Sequence, residues 1–496
     1  MGAPSRATAP DGVASLRPAM GRVRQGDAFA LPARVHYATA RPRPLSGEGA
    51  LGGKPGWQRI DLPPLKVPLA PSKTVSDSSR DALWDGVSPG DTRSGLNLPQ
   101  DRNETRPTLL HTALPFSTAK RRPSSTEIRG NDWAFLRESS PPHLTLPSAD
   151  CVRVVDLFCG AGGLTLGAAE ACTSVGRNID VRFAADFEQS AINCYRANFP
   201  DATAECVDLR EIFSENLSDA LSAAEKRLRK KTGPVDLLLG GPPCQGHSDL
   251  NNYSRRNDPK NHLYKIMGRA AKVLKPDHVL IENVPGAIHD QSGSVAFTLR
   301  QLKELGYSID VATVSAVELG VPQLRKRLVV IASRTKNPCV ADVVAKYRTP
   351  ERSIAWAIED IQDEASLDLT STPAASNPTT RARIDYLFDN SLYELPDAQR
   401  PACHRDKSHS YKSVYGRMAW DKPAQTITSG FYSMCMGRYV HPSRRRTLTA
   451  HEAARLQFFP DYFDFRSAGS RTALAKILGN AVPPKFAYPF VREILT

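Results

Sequence analysis

At 496 residues the chain is long enough for two or three domains, and 41% hydrophobic with 7% aromatic content supports at least one sizeable core. No apolar run approaches the roughly 20 residues that a membrane span needs. Nine cysteines, an odd number without a CxxC pair, argue against a disulfide framework and against a metal site. A net charge of +13 points to an anionic partner, nucleic acid first. Residues 1–150 hold 20 Lys and Arg against 14 Asp and Glu, so the surplus extends into the remainder.

Residues 1–147 contain 19 of the 39 prolines and little apolar periodicity. They are expected to be mostly disordered, with short fragments such as Trp133-Ala134-Phe135-Leu136 docking on the body. From Cys151 the pattern changes. Val152–Phe158 reads as a buried strand, Cys159–Gly163 as a glycine turn, and Leu164–Cys172 as a helix. That is the opening unit of a Rossmann-like α/β sheet, in which the helix N-terminus faces a ligand. A second strand, Val181–Ala185, ends at Asp186-Phe187. An acid there suits ribose hydroxyls and the aromatic suits an adenine. Cys206–Leu209 ends a third strand, with Asp208 placed for an adenine amino group. The alternative is that these acids only cap helices.

The run Val235–Leu239 stops at Gly240-Gly241, and Pro242-Pro243 stiffen the turn before Cys244. Taken alone, Cys244 reads as an inert buried thiol. Residues 249–262 are polar and read as a mobile lid. Pro276–Ile281 is a strand that delivers Glu282-Asn283, and a carboxyl at such a strand end is a candidate proton donor with a raised pKa. Tyr307–Val317 is extended. Gln323 to Arg327 leads into the strand Leu328–Ala332, and alternation sends Arg325 and Arg327 the same way. Beyond Ser333 the βα rhythm breaks. Thr370–Thr380 reads as a linker, and His404, Arg405, Lys412, Tyr415, Arg417 and Arg438 interleave basic and aromatic character, which suits a phosphate-tracking surface. Thr449 is the expected N-cap of the next helix, with Glu452 three residues on.

In order, the segments DLFCGAGG from Asp156, Asp186-Phe187, Asp208-Leu209, GGPPCQGHS from Gly240, ENVPG from Glu282, QLRKR from Gln323, TLTAHEAARLQFFP from Thr447 and GNAVPP from Gly479 resemble the DNA (cytosine-5)-methyltransferase family of prokaryotic restriction-modification type. The resemblance covers about residues 149–496. It implies a Rossmann-like S-adenosylmethionine-dependent methyltransferase sheet with a smaller, irregular target-recognition domain. The implied division is 1–147 as extension, 148–333 as catalytic and cofactor-binding domain, 334–469 as target-recognition domain, and 470–496 returning to the catalytic domain. By the resemblance Cys244 is the nucleophile, Glu282 the acid for cytosine N3, Arg327 the O2 contact, and Arg325 the partner that holds the acid and lid. Phe158, Gly160, Gly162, Asp186, Phe187, Asp208, Leu209 and Asn480 match the S-adenosylmethionine site. Gln245, Ser248, Arg405, Lys412, Arg417, Thr426 and Arg438 are the implied DNA contacts.

The resemblance further implies a monomer acting on double-stranded DNA, in a bacterial cytoplasm and near the nucleoid. It implies no membrane association and no metal, and it allows a separately acting cognate restriction endonuclease. His247 stands where an aromatic is common and Lys260 where Arg is usual, so the lid contacts differ from the pattern. A tRNA cytosine methyltransferase and an inactive DNA-binding regulator are the competing readings. The first lacks its Cys-Phe-Thr element here, and the second would have lost Cys244, Glu282 or Arg327. The unstructured reading of the extension predicts that removing residues 1–140 leaves catalysis intact.

Overall fold

One twisted sheet organises the body, and its strands are the apolar runs that the sequence ends in glycine or acid. The structure, a computed structural model, describes residues 126–141, 150–243, 263–289, 293–364, 368–406 and 413–496, and the backbone of two short strands, β1 (Val35–Tyr37) and β2 (Gln58–Ile60). All of them lie in the unit formed by Arg34–Ile60 and Ser88–Thr496. The later strands are β3 (Cys151–Leu157), β4 (Asn178–Asp186), β5 (Ala204–Cys206), β6 (Leu237–Gly240), β7 (His278–Asn283), β8 (Ser308–Ser315), β9 (Gln323–Leu324), β10 (Lys326–Ser333) and β11 (Ala424–Gln425).

Nine of them form a sheet in the order β2-β1-β8-β10-β7-β6-β3-β4-β5. β3 to β7 are parallel, and β10 inserts antiparallel between β7 and β8. A parallel sheet is covered on both faces, so its strands read as near-continuous apolar runs. Val152, Val154, Leu237 and Leu239 pack under Gly163–Ser174 and Pro484–Leu495. Val155, Leu157, Leu238 and Val279 pack with Tyr264–Leu274 and Ser294–Glu304 on the other side. Alternation along β3 sends Val154 to the first core and its neighbour Val155 to the second.

Two placements depart from the sequence reading. Glu282 and Asn283 lie inside β7, not beyond it. Asp208 lies outside β5, as the N-cap of the turn Leu209–Ile212.

Residues 126–141 fall within the expected unstructured extension, yet they form a docked strap. Asn131 caps the helix Asp132–Leu136, accepting from the Ala134 N–H at 3.1 Å. Ile128, Phe135 and Leu136 are buried, and the Phe135 ring stacks on Phe458. Asp132 is buried and meets Lys485 at 2.8 Å and Arg352 at 2.7 Å. Arg129 binds the buried Glu170 through Nε at 2.8 Å. Apolar anchors and buried charge pairs together outweigh the proline-rich, aperiodic context on either side. The docking fragment expected at Trp133–Leu136 thus widens to residues 126–141, anchored by Ile128, Phe135 and Leu136.

The irregular segment after Ser333 has a small core of Ile384, Leu387, Leu395, Val414, Tyr415, Met434 and Val440. Its helix Pro378–Asp389 begins within the expected linker, capped by Asn377 with Pro378 in the first turn. Two joints tie this segment to the body. β11 pairs with β9, and Gly479 packs against the Thr428–Ser429 backbone so closely that a Cβ would come within 2.1 Å of Ser429 N. Only glycine fits that approach.

Candidate active site

The strand order reverses between β3 and β6, so the loops after their carboxyl ends diverge and leave a crevice. Phe158, Gly160 and Gly162 all have positive φ, at 56°, 54° and 100°. At Gly162 a side chain would also strike Phe199. The chain can therefore double back from β3 and start the helix at Gly163. Beside Gly160 a Cβ would meet nothing within 4 Å, so the loop borders open space. The Gly160 N–H donates to Asp186 at 3.0 Å, and the Glu188 N–H donates to the other oxygen of that carboxylate at 2.9 Å. Burial pushes the Asp186 carboxyl up, only partly offset by these two N–H groups. Phe187 beside it is 58% exposed, which is unusual for an aromatic on a well-packed body.

The other residues matched to the cofactor site divide. Asn480 is exposed at the end of the helix Arg471–Asn480. Asp208 caps its turn through the Arg210 N–H, and the Arg210 guanidinium holds its carboxyl below the usual range. The capping alternative is thus realised at Asp208, although the side chain stays one-third exposed. Leu209 is buried in the core with Phe213 and Leu228, which leaves its backbone, not its side chain, for a ligand.

On the β6 side, Gly241 lies between the two halves of the site. A Cβ there would come within 3.8 Å of the Phe158 carbonyl and 3.9 Å of the Glu282 carboxylate. Pro242 has no N–H and presents only a carbonyl, which accepts from Asn283 Nδ2 at 3.2 Å. The Asn283 Oδ1 accepts from the Val284 N–H, so this buried amide pins the Gly-Gly-Pro-Pro turn to the end of β7. Cys244, Gln245, Ser248 and the polar stretch 249–262 lie outside the described residues, as does Lys412.

Glu282 is buried and pairs with Arg327, Nε to Oε1 at 2.7 Å. The register explains the pair. Glu282 faces Val329 across β7 and β10, and Arg327, two residues earlier, projects to the same side and reaches diagonally. Arg325 is fully buried, and its guanidinium donates to the carbonyls of Ile427 and Gly479, each at 3.4 Å. Burial pushes it down to about 9, with Arg327 adding to the effect. Arg327 thus pairs directly with the acid, while Arg325, whose charge also reaches Glu282, joins the body to the segment carrying Ile427.

In that segment, the Thr426 hydroxyl donates to the Leu324 carbonyl at 3.0 Å, and its carbonyl accepts from the Tyr439 hydroxyl at 2.8 Å. Arg417 donates to the Pro442 carbonyl and lies 4.1 Å from the Phe388 ring centre. Arg438 donates to the carbonyls of Tyr393 and Arg417 and pairs with Glu394. Both guanidiniums brace the irregular backbone of this segment. Arg405 is exposed and pairs with Asp406. Among the described residues no group of His, Cys, Asp and Glu could hold a metal, and no helix is long and apolar enough to cross a membrane.

The switch-point crevice, the glycine loop and the buried acid–arginine pair define the class: a doubly wound α/β protein with a ligand crevice at its switch point and an irregular segment after the sheet. The model for the family described as C-5 cytosine-specific DNA methylase matches residues 152–496. Type II methyltransferase M1.BsuMI of Bacillus subtilis is 43% identical over 357 residues, covering 72% of this chain and 83% of that protein. Type II methyltransferase M1.HphI of Haemophilus parahaemolyticus is 29% identical, covering 69% and 86%. Among solved structures, the S. pombe Dnmt2 methyltransferase aligns at TM-score 0.49 and 17% identity, covering 70% of this chain and 98% of that one. The chain belongs to the C-5 cytosine-specific DNA methylase family. It is a DNA (cytosine-5) methyltransferase, a class that in general depends on S-adenosylmethionine.

Proposed function

We propose that the chain methylates C5 of a cytosine within a specific double-stranded DNA sequence, through a covalent Cys244–C6 adduct on a base flipped out of the helix. The observation that carries the reading is the position of Gly241, between the Phe158 carbonyl of the glycine loop and the Glu282 carboxylate. A methyl donor beside the loop and a base against the acid would then be neighbours.

The site fits S-adenosylmethionine. Open space lies beside Gly160, the Asp186 carboxylate suits ribose hydroxyls, the exposed Phe187 ring suits adenine, and Asn480 faces solvent at the next helix end. Bound there, the cofactor supplies an electrophilic methyl group on a sulfonium. The chain's residues do the rest. The Cys244 thiolate adds to C6 and turns C5 into an enamine-type carbon able to attack that methyl. Charge that develops on the ring falls on N3 and O2. Glu282 serves as the acid toward N3, and Arg327 meets O2. Loss of the C5 proton and departure of the thiolate restore the aromatic ring. A base stacked in a duplex cannot reach such a site, hence flipping. Arg405, Arg417, Thr426 and Arg438, with Gln245, Ser248 and Lys412, are our candidates for DNA contact.

The type II names of the relatives support a modification role in a bacterial cytoplasm, beside a separately acting endonuclease. The test is incubation of unmethylated plasmid with S-adenosylmethionine, followed by bisulfite sequencing. Methylated cytosines confined to one sequence motif are expected from the wild type and none from Cys244→Ser, which still binds DNA. Full methylation by that variant would sink the mechanism.

A further inference from the structure

Lys476 and Asn480 stand four residues apart on the helix Arg471–Asn480 and so share one face. The Lys476 ammonium pairs with Glu188 and lies 5.4 Å from the centre of the Phe187 ring. Its charge also reaches Asp186, where it opposes part of the effect of burial on that carboxyl. Three consecutive residues at the end of β4 thus meet one cation, supplied from 288 residues further along the chain. Stability alone does not account for this cluster. The Lys476 side chain is 43% exposed, and an exposed ion pair contributes at most about 1 kcal/mol. A cation over an exposed ring is similarly weak in water and strengthens when the ring is desolvated. An adenine laid on Phe187 would do that.

We propose that Lys476 is a cofactor-positioning residue: from the helix Arg471–Asn480 it clamps Asp186-Phe187-Glu188, sets the Phe187 ring as the adenine platform, and leaves the Asp186 carboxylate to the ribose. This rests on reading that crevice as the S-adenosylmethionine site. The effect is differential, because the contact gains strength only when cofactor covers the ring. It therefore acts on affinity more than on folding.

The test uses the full chain and three variants, Lys476→Met, Lys476→Arg and Phe187→Ala. Calorimetry gives the dissociation constant for S-adenosylhomocysteine, thermal unfolding gives Tm, and steady-state assays give KM and kcat. Lys476→Met is expected to weaken binding about tenfold and to raise the cofactor KM more than it lowers kcat, with Tm within about 2 °C. Lys476→Arg, which keeps the charge, restores affinity to within about twofold. Wild-type affinity in Lys476→Met, or a loss that tracks a fall in Tm, overturns the positioning role. Phe187→Ala separates the two levels. If it binds as wild type, the cofactor-site reading itself fails. If it binds weakly while Lys476→Met does not, only the role of Lys476 fails.

Discussion

Asn283 does with one amide what the backbone of Pro242 cannot do for itself. Without its Nδ2, the Pro242 carbonyl faces a buried gap, two residues before the proposed nucleophile. Asn283→Ala is expected to destabilise by about 1–2 kcal/mol in urea unfolding and to lower kcat at least about tenfold, with the cofactor KM little changed. Wild-type kcat in this variant would mean the turn holds without the pin. Glu282→Gln keeps the shape of the acid and removes its proton. It is expected to lower methyl transfer about 100-fold or more in single-turnover assays while DNA affinity is retained. The glycine loop is legible because it follows a strand that ends in turn chemistry, whereas the readings of Glu282, which lies inside β7, and of Cys244 rest on the ordered motifs of the resemblance. The division of labour between Arg325 and Arg327 is not legible, since alternation sends both the same way. Only the cross-strand register of β10 against β7 shows that Arg327 is the one diagonal to Glu282. Lys476 left no local mark, because its partners Phe187 and Glu188 are on another element far away in sequence.

At the scale of the element, the helix Ala450–Leu456 shows how far a local signal reaches. Thr449 and Glu452 form the reciprocal capping box expected from their spacing. The structure adds what spacing cannot supply: Arg446 grips Glu452 with two nitrogens, and the buried His441 approaches it at 3.3 Å. Burial alone would raise this carboxyl, but Arg446 and His441 outweigh it and hold it down at about 2. A carboxyl depressed on folding stabilises the native state fully above its unfolded value, near 4.5, and loses that contribution as pH falls through about 2. Up to about 3 kcal/mol is therefore expected to disappear across that window. Glu452→Gln should be less stable at pH 7 and show a flatter acid limb when urea midpoints are followed from pH 6 to pH 2.5. Parallel acid limbs would place the titrating group elsewhere.

For the whole molecule, composition marks the body from Cys151 onward and the Trp133–Leu136 fragment hints at docking, but neither shows the charge anchors of the strap at 126–141. Its two anchoring charges, Asp132 and Arg129, look like ordinary surface residues in a proline-rich run. Their partners Lys485 and Glu170 become visible only in three dimensions. Deletion of residues 1–141 strips apolar cover from the body and leaves Glu170 and Lys485 without their partners. It is expected to lower Tm by more than about 5 °C relative to deletion of residues 1–125, which keeps the strap and shares with it the loss of β1 and β2. Asp132→Ala in the full chain isolates the electrostatic part, at about 3–5 kcal/mol. Equal stability of the two truncations would show that the strap adds nothing.

The packing of Gly163–Ser174 against Pro484–Leu495 also sets the order of events during synthesis. The first helix of the sheet emerges from the ribosome some three hundred residues before the helix that covers it. Until Pro484–Leu495 is released, an apolar surface that includes Leu164, Leu166 and Ala168 lacks this cover. Such a nascent chain is a client for chaperones, and a premature stop that removes only this last helix yields an aggregating product, not a shortened enzyme.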